Sequence, residues 1–149
     1  MTRHILGMAL SLCLFQAFPT AADAAETVLM TAGEEGSPGV SFGFDPQAAP
    51  PVITVRTVLA GVAGSKLSIF IDNSKTAAFD HIFGADECSF VEGARSNCLH
   101  MIPKTSPSYE TIVSLFKLGK QARITVEDAG VMKMDHRVSL IGFTKAFDK

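Results

Sequence analysis

The fold is decided by the stretch Val52-Ile53-Thr54-Val55-Arg56-Thr57-Val58-Leu59 and, after a glycine-containing turn, Lys66-Leu67-Ser68-Ile69-Phe70-Ile71. The first segment is rich in β-branched residues, which favour strands. In the second segment an apolar residue occupies every second position, so the apolar side chains share one face of a strand. The turn between them, Gly61 to Gly64, allows the chain to reverse. These two segments therefore predict two strands, the second with one apolar face.

Short apolar runs separated by turn residues continue on both sides of this stretch. The segment 25–51 contains four prolines, three of them between 45 and 51, and several glycines, so we expect it to be partly irregular, with short strands near 27–30 and 40–44. Further strands are expected near 77–83, 98–102 and 123–126, and a long closing strand over 131–143. This organisation predicts a mainly β domain, an antiparallel β-sandwich or a barrel-like domain.

One helix is predicted over 107–118. Ser106 is suited to cap its first turn, and Pro107 fits the first helical position. Apolar residues recur at helical spacing through the segment, and Gly119 provides a stop signal.

The N-terminal residues are typical of a secretory signal peptide. Arg3 precedes an apolar run over 5–18, and small residues follow up to Ala25. We place the cleavage after Ala24, with Ala25 as the second choice, so that residues 1–24 form the signal peptide and 25–149 a single β-rich domain. The apolar run is shorter than the roughly 20 residues that span a bilayer, which disfavours an uncleaved anchor. The mature protein is then periplasmic or secreted and has no stable transmembrane segment.

The charge of the chain excludes some classes of partner. The 13 basic and 15 acidic residues give a net charge of −2, and the basic residues form no cluster in the sequence. Nucleic acid is therefore not an expected partner. We expect an unidentified protein or envelope partner instead.

Removal of the signal peptide takes away Cys13 and leaves Cys88 and Cys98. An even number of cysteines in an oxidising compartment favours a disulfide, although a metal-binding or redox pair is an alternative. The disulfide would staple a hairpin-like excursion with a polar tip. Glu92 and Arg95 lie at this tip and are the predicted contact residues, because loops on rigid scaffolds often carry recognition.

A metal-binding alternative comes from Met132, Met134 and His136, which lie at i, i+2 and i+4 and would share one face of a strand. Thioether and imidazole ligands suit copper in an oxidising space. The same face continues into Val138 and Leu140, so packing in the core is the favoured interpretation, and no metal or other cofactor is expected.

The sequence shows no nucleophile elbow, P-loop, zinc-protease motif or dinucleotide fingerprint. His81 and His100 are isolated in sequence and are interpreted as structural or exposed. The acidic pair Asp86 and Glu87 is interpreted as solvated surface. A hydrolase assembled from scattered residues would place His81 or His100 in a concave cluster with an acid and a serine.

The C-terminal two thirds of the chain resembles the invasion-associated locus B family of bacterial exported proteins. The resemblance covers residues 52–147 and is carried by the segments 58–62, 67–72, 116–126 and 128–130 and by Val138-Ser139-Leu140-Ile141-Gly142-Phe143. It implies a secreted or periplasmic β-rich protein, associated in some pathogens with host-cell invasion. It implies no reaction and no catalytic residues. Together these features predict an exported, non-enzymatic binding or envelope- and host-interaction module, with periplasmic copper handling as the alternative.

Overall fold

The computed structural model describes residues 28–92 and 95–148, so the predicted signal peptide lies outside the described residues. The described residues form strands, two α-helices and one 3₁₀ helix. In chain order these are β1 (Val28–Ala32), β2 (Gly39–Asp45), β3 (Val52–Val58), β4 (Lys66–Ile71), β5 (Phe79–Ile82), the 3₁₀ helix (Ala85–Glu87), β6 (Cys88–Glu92), β7 (Arg95–Pro103), α1 (Pro107–Leu118), β8 (Gln121–Asp128), β9 (Val131–Ser139) and α2 (Phe143–Phe147).

The strands form two antiparallel sheets. One sheet has the order β1-β2-β3-β7-β6, and the other has the order β5-β4-β8-β9. The predicted mainly β class is therefore confirmed, and of the two predicted architectures the structure is the sandwich. Strands β1 and β2 lie within the segment that was expected to be partly irregular.

The core lies between the sheets and under α1. Alternating residues of the central strands are fully buried, among them Val55 of β3, Ile69 of β4 and Ile124 of β8. For β4 this is the alternation that the sequence predicts. The ring of Phe116 in α1 lies 5.6 Å from the ring of Phe42 in β2, which closes the core on the helix side.

Helix α1 spans the predicted residues, Pro107–Leu118. The hydroxyl oxygen of Ser106 accepts a hydrogen bond from the backbone N–H of Ser108 at 3.3 Å, as expected for an N-cap. None of the helices within the described ranges is long and apolar enough to cross a membrane.

The closing strand is shorter than predicted. Strand β9 ends at Ser139, and the chain then turns into the short helix α2, for which the sequence shows no helix signal. Gly142 adopts a left-handed backbone with a φ of 88°, a conformation that interrupts a strand. The reversal lets both Leu140 and Phe143 enter the core, where each is 3 % exposed.

Candidate metal centre

Three potential metal ligands meet where the chain crosses from one sheet to the other. His81 lies on β5, at the edge of the four-stranded sheet, and His100 lies on β7 of the five-stranded sheet. Glu87 ends the 3₁₀ helix that connects β5 to β6. Its carboxylate oxygen Oε2 accepts the backbone N–H of Gly84 at 2.6 Å, so this short turn directs the carboxylate toward the two histidines.

The carboxylate of Glu87 bridges the two imidazole rings. His81 Nε2 lies 2.8 Å from Oε2 and 3.1 Å from Oε1. His100 Nδ1 lies 2.5 Å from Oε1. Since a carboxylate only accepts hydrogen bonds, both ring nitrogens donate to Glu87 in this arrangement.

The two rings are held by stacking. The centroids of the His81 and His100 rings are 3.5 Å apart, with an angle of 19° between the ring planes. Phe79 stacks beside both rings, and the ring of Phe83 meets His81 edge-on at 5.6 Å. The side chains of His81, Glu87 and His100 are 23 %, 19 % and 19 % exposed. The site is thus half-buried, and an ion can still reach it from solvent.

The electrostatics of the site favour an ionised carboxylate. Partial burial by itself raises the pKa of Glu87. The hydrogen bonds from the Gly84 backbone, His81 and His100 outweigh burial and lower this pKa from 4.5 to about 2. Glu87 therefore carries a full negative charge at neutral pH, between two nitrogen atoms that bind metals when they lose a proton.

The geometry of the three side chains is close to that of a metal site. One ligand atom from each of His81, Glu87 and His100 lies within 4.8 Å of the others. Tetrahedral zinc has nitrogen and oxygen ligands at about 2.0–2.1 Å, which places neighbouring ligand atoms about 3.3 Å apart. Small side-chain shifts therefore suffice to bind an ion. Two imidazoles and one carboxylate would leave a fourth position open to water or a further ligand.

The disulfide lies next to this cluster. Cys88 and Cys98 are bonded, which confirms the predicted disulfide, and they are directly paired between β6 and β7. Cys88 follows Glu87 in the chain. Cys98 precedes His100 by two residues, so the two side chains lie on the same face of β7. The covalent link thus fixes the backbone beside two of the three ligands.

The predicted methionine and histidine face is divided by a β-bulge. Between β8 and β9 the register moves from Val126–Met134 to Glu127–Met132, which leaves one extra residue on β9. As a result Met134 is 3 % exposed and Met132 is 46 % exposed, so the two thioethers do not share a face. His136 Nε2 lies 2.7 Å from the carbonyl oxygen of Pro38, a packing contact at the edge of the core.

The interpretation of Glu87 as solvated surface was wrong, because sequence reasoning gave no indication that the turn directs its carboxylate inward. His81 and His100, which are isolated in sequence and were interpreted as structural or exposed, are brought together by the sandwich. In the described part of the chain neither histidine is hydrogen bonded to a serine, so the cluster differs from the one that the hydrolase alternative requires.

The segment between the cysteines is mostly strand. Glu92 is exposed at the end of β6 and is in register with Arg95 at the start of β7, so the two strands form a hairpin, as predicted. Gly93 and Ala94, which connect the two strands, lie outside the described residues. A contact role for Glu92 and Arg95 stays a prediction.

No protein-family model, curated protein or solved structure matches this chain. Its function is therefore inferred from the geometry of its own residues.

Proposed function

We propose that the chain is an exported β-sandwich module that binds a divalent transition-metal ion, zinc or copper(II), through His81, Glu87 and His100. The observation that carries the proposal is the convergence of these three donor groups on one point between the sheets. Imidazole nitrogens together with a carboxylate suit zinc and copper(II), whereas calcium and magnesium require mostly oxygen ligands.

The environment of the three side chains supports binding. The Gly84 backbone N–H orients the Glu87 carboxylate, which is the role that outer-shell partners have in metal sites. Ring stacking limits the rotation of both histidines, so little freedom is left to lose on binding. On binding, the ion would take the place of the two protons that the ring nitrogens now share with Glu87.

The proposal also includes the predictions of export and of a non-enzymatic role. Export is supported by the signal-like residues 1–24, and the disulfide fits an oxidising compartment. Membership of the invasion-associated locus B family is part of the same proposal and rests on the motifs between residues 52 and 147. Mass spectrometry of the exported protein tests the export prediction, and a mature chain that begins at Ala25 is the expected result.

Calorimetric titration of the purified, disulfide-bonded protein with zinc and with copper(II) tests the metal site. We expect saturable binding of one ion per chain. The substitutions His81→Ala and His100→Ala should each weaken the affinity by at least about tenfold, because even outer-shell partners are typically worth that factor.

His136→Ala is the matched control, since His136 is also half-buried on the inner side of the sandwich but contacts a backbone carbonyl. The control variant should bind metal like the original chain. The absence of saturable binding, or an equal loss in His136→Ala, would show that the cluster is a hydrogen-bonded pair and not a metal centre.

A further inference from the structure

A separate cavity of about 440 Å³ lies where three connections between strands meet. It is formed by the residue before β2, the β3–β4 connection and the β8–β9 hairpin, and it shares no residue with the metal centre. The lining residues are Pro38, Leu59, Ala60, Gly61, Val62, Asp128 and Lys133. This volume is within the range of about 300–1,000 Å³ that is usual for sites of small molecules.

One wall of the cavity is held in an uncommon backbone conformation. Leu59 has a φ of 53°, which a residue other than glycine, asparagine or aspartate rarely adopts. The backbone N–H of Leu59 donates to the side-chain oxygen of Asn97 at 3.0 Å. The next carbonyl, that of Ala60, accepts the Thr57 hydroxyl at 3.0 Å. The surrounding strands thus hold this wall in place before any ligand arrives, and such strained positions are often part of binding sites.

The opposite wall is shaped by the bulge between β8 and β9. Since Met132 and Met134 are the residues in register with β8, Lys133 is the extra residue of the bulge. Bulges redirect a side chain, and they are frequent beside functional sites. Here the redirected residue is a lysine that lines the cavity.

The cavity combines an apolar surface with two opposite charges. Pro38, Leu59 and Val62 offer apolar contacts, while Asp128 and Lys133 supply a carboxylate and an ammonium group. Among the ion pairs formed by residues 28–92 and 95–148, none includes either of these charged side chains. A ligand that carries both charges would satisfy both groups, whereas a simple anion would meet repulsion from Asp128.

We propose that this cavity binds a small zwitterionic amino-carboxylate with an apolar body, of the size of leucine. The ligand carboxylate pairs with Lys133, the ligand ammonium pairs with Asp128, and the apolar body packs against Leu59 and Val62. This binding site is independent of the metal centre, so the failure of one proposal leaves the other intact.

The test is a titration of the isotope-labelled protein with L-leucine, followed by backbone amide chemical shifts. We expect saturable shifts around residues 59–62 and 128–133. N-acetyl-leucine and leucinamide, which each lack one of the two charges, should bind about tenfold more weakly, as expected when a charge-assisted hydrogen bond is lost. Lys133→Ala should weaken leucine binding by a similar factor.

Lys75→Ala is the matched control, because Lys75 is an exposed lysine outside the cavity, and it should leave leucine binding unchanged. His81→Ala should also bind leucine normally, which separates this site from the metal centre. The proposal is overturned if leucine gives no saturable shifts up to about 10 mM. It is equally overturned if either single-charge analogue binds as well as leucine, or if Lys133→Ala binds leucine unchanged.

Discussion

The substitution Glu87→Gln removes the charge at the centre of the His81–Glu87–His100 cluster and keeps the shape of the side chain. Both carboxylate oxygens of Glu87 accept hydrogen bonds, but a glutamine side chain has only one oxygen acceptor. Its NH₂ group would therefore face an N–H donor of His81, His100 or Gly84. We therefore expect a marked loss of stability at neutral pH in the metal-free protein.

The pKa of Glu87 gives the size of this loss. The pKa falls from 4.5 to about 2 on folding. Each unit corresponds to about 1.4 kcal/mol, so the ionised carboxylate contributes about 3 kcal/mol to the free energy of unfolding. Because the folded-state pKa is the lower one, this contribution is fully present above about pH 4.5 and is lost as the pH falls through 2. Near pH 2.5 it should have decreased to about 1 kcal/mol.

Urea unfolding of both proteins at pH 7 and at pH 2.5, with a chelator present, measures the effect. At pH 7 the variant should be less stable by about 3 kcal/mol, and at pH 2.5 the two proteins should differ by no more than about 1 kcal/mol. Glu34→Gln, in an exposed loop, is the matched control and should have little effect at either pH. An equal loss at both pH values would refute the electrostatic reasoning, since it would show that the substitution acts through packing.

Three further variants test the scaffold. Replacing both Cys88 and Cys98 with alanine should reduce the free energy of unfolding by about 3 kcal/mol, because the open chain gains entropy when unfolded, and urea titration checks this. Phe116→Ala should lower the free energy of unfolding by about 3–5 kcal/mol, since Phe116 is 1 % exposed and its loss leaves a cavity. A variant that melts at the same temperature as the original chain in calorimetry would contradict the place of Phe116 in the core. Ser106→Ala removes the hydroxyl oxygen that caps α1 by accepting the backbone N–H of Ser108. The free energy of unfolding should fall by about 1 kcal/mol, and thermal unfolding followed by circular dichroism measures this.

The sequence alone determined those parts of the protein that depend on neighbouring residues. The β-branched residues of β3 favour a strand locally, and the alternation in β4 predicts one because side-chain direction alternates with every residue. The start of α1 follows from Ser106 and Pro107 and its end from Gly119, whose effects act within a single turn. The disulfide between Cys88 and Cys98 followed from the number of cysteines left after the signal-like segment, together with the oxidising compartment that this segment predicts.

Predictions from local patterns were wrong where the backbone departs from the two-residue period of a regular strand. The spacing of Met132 and Met134 predicts a shared face, but one extra residue in a bulge places them on different sides. The apolar residues after Ser139 suggest a continuing strand, but the left-handed Gly142 turns the chain back, so that Phe143 packs beside Phe44. A bulge or a reversal of this kind depends on what the neighbouring elements offer for packing, which a short sequence window does not contain.

Only the tertiary structure decided the candidate sites. His81 and His100 lie on β5 and β7, which belong to different sheets, and Glu87 lies on the 3₁₀ helix between β5 and β6, so no regular spacing relates all three. Their convergence depends on how the two sheets face each other and on the register of β6 with β7. The cavity at Leu59 and Lys133 likewise joins residues more than 70 positions apart in sequence. A sequence specifies each strand through local physical preferences, whereas a site between sheets exists only after long-range packing has set their relative positions.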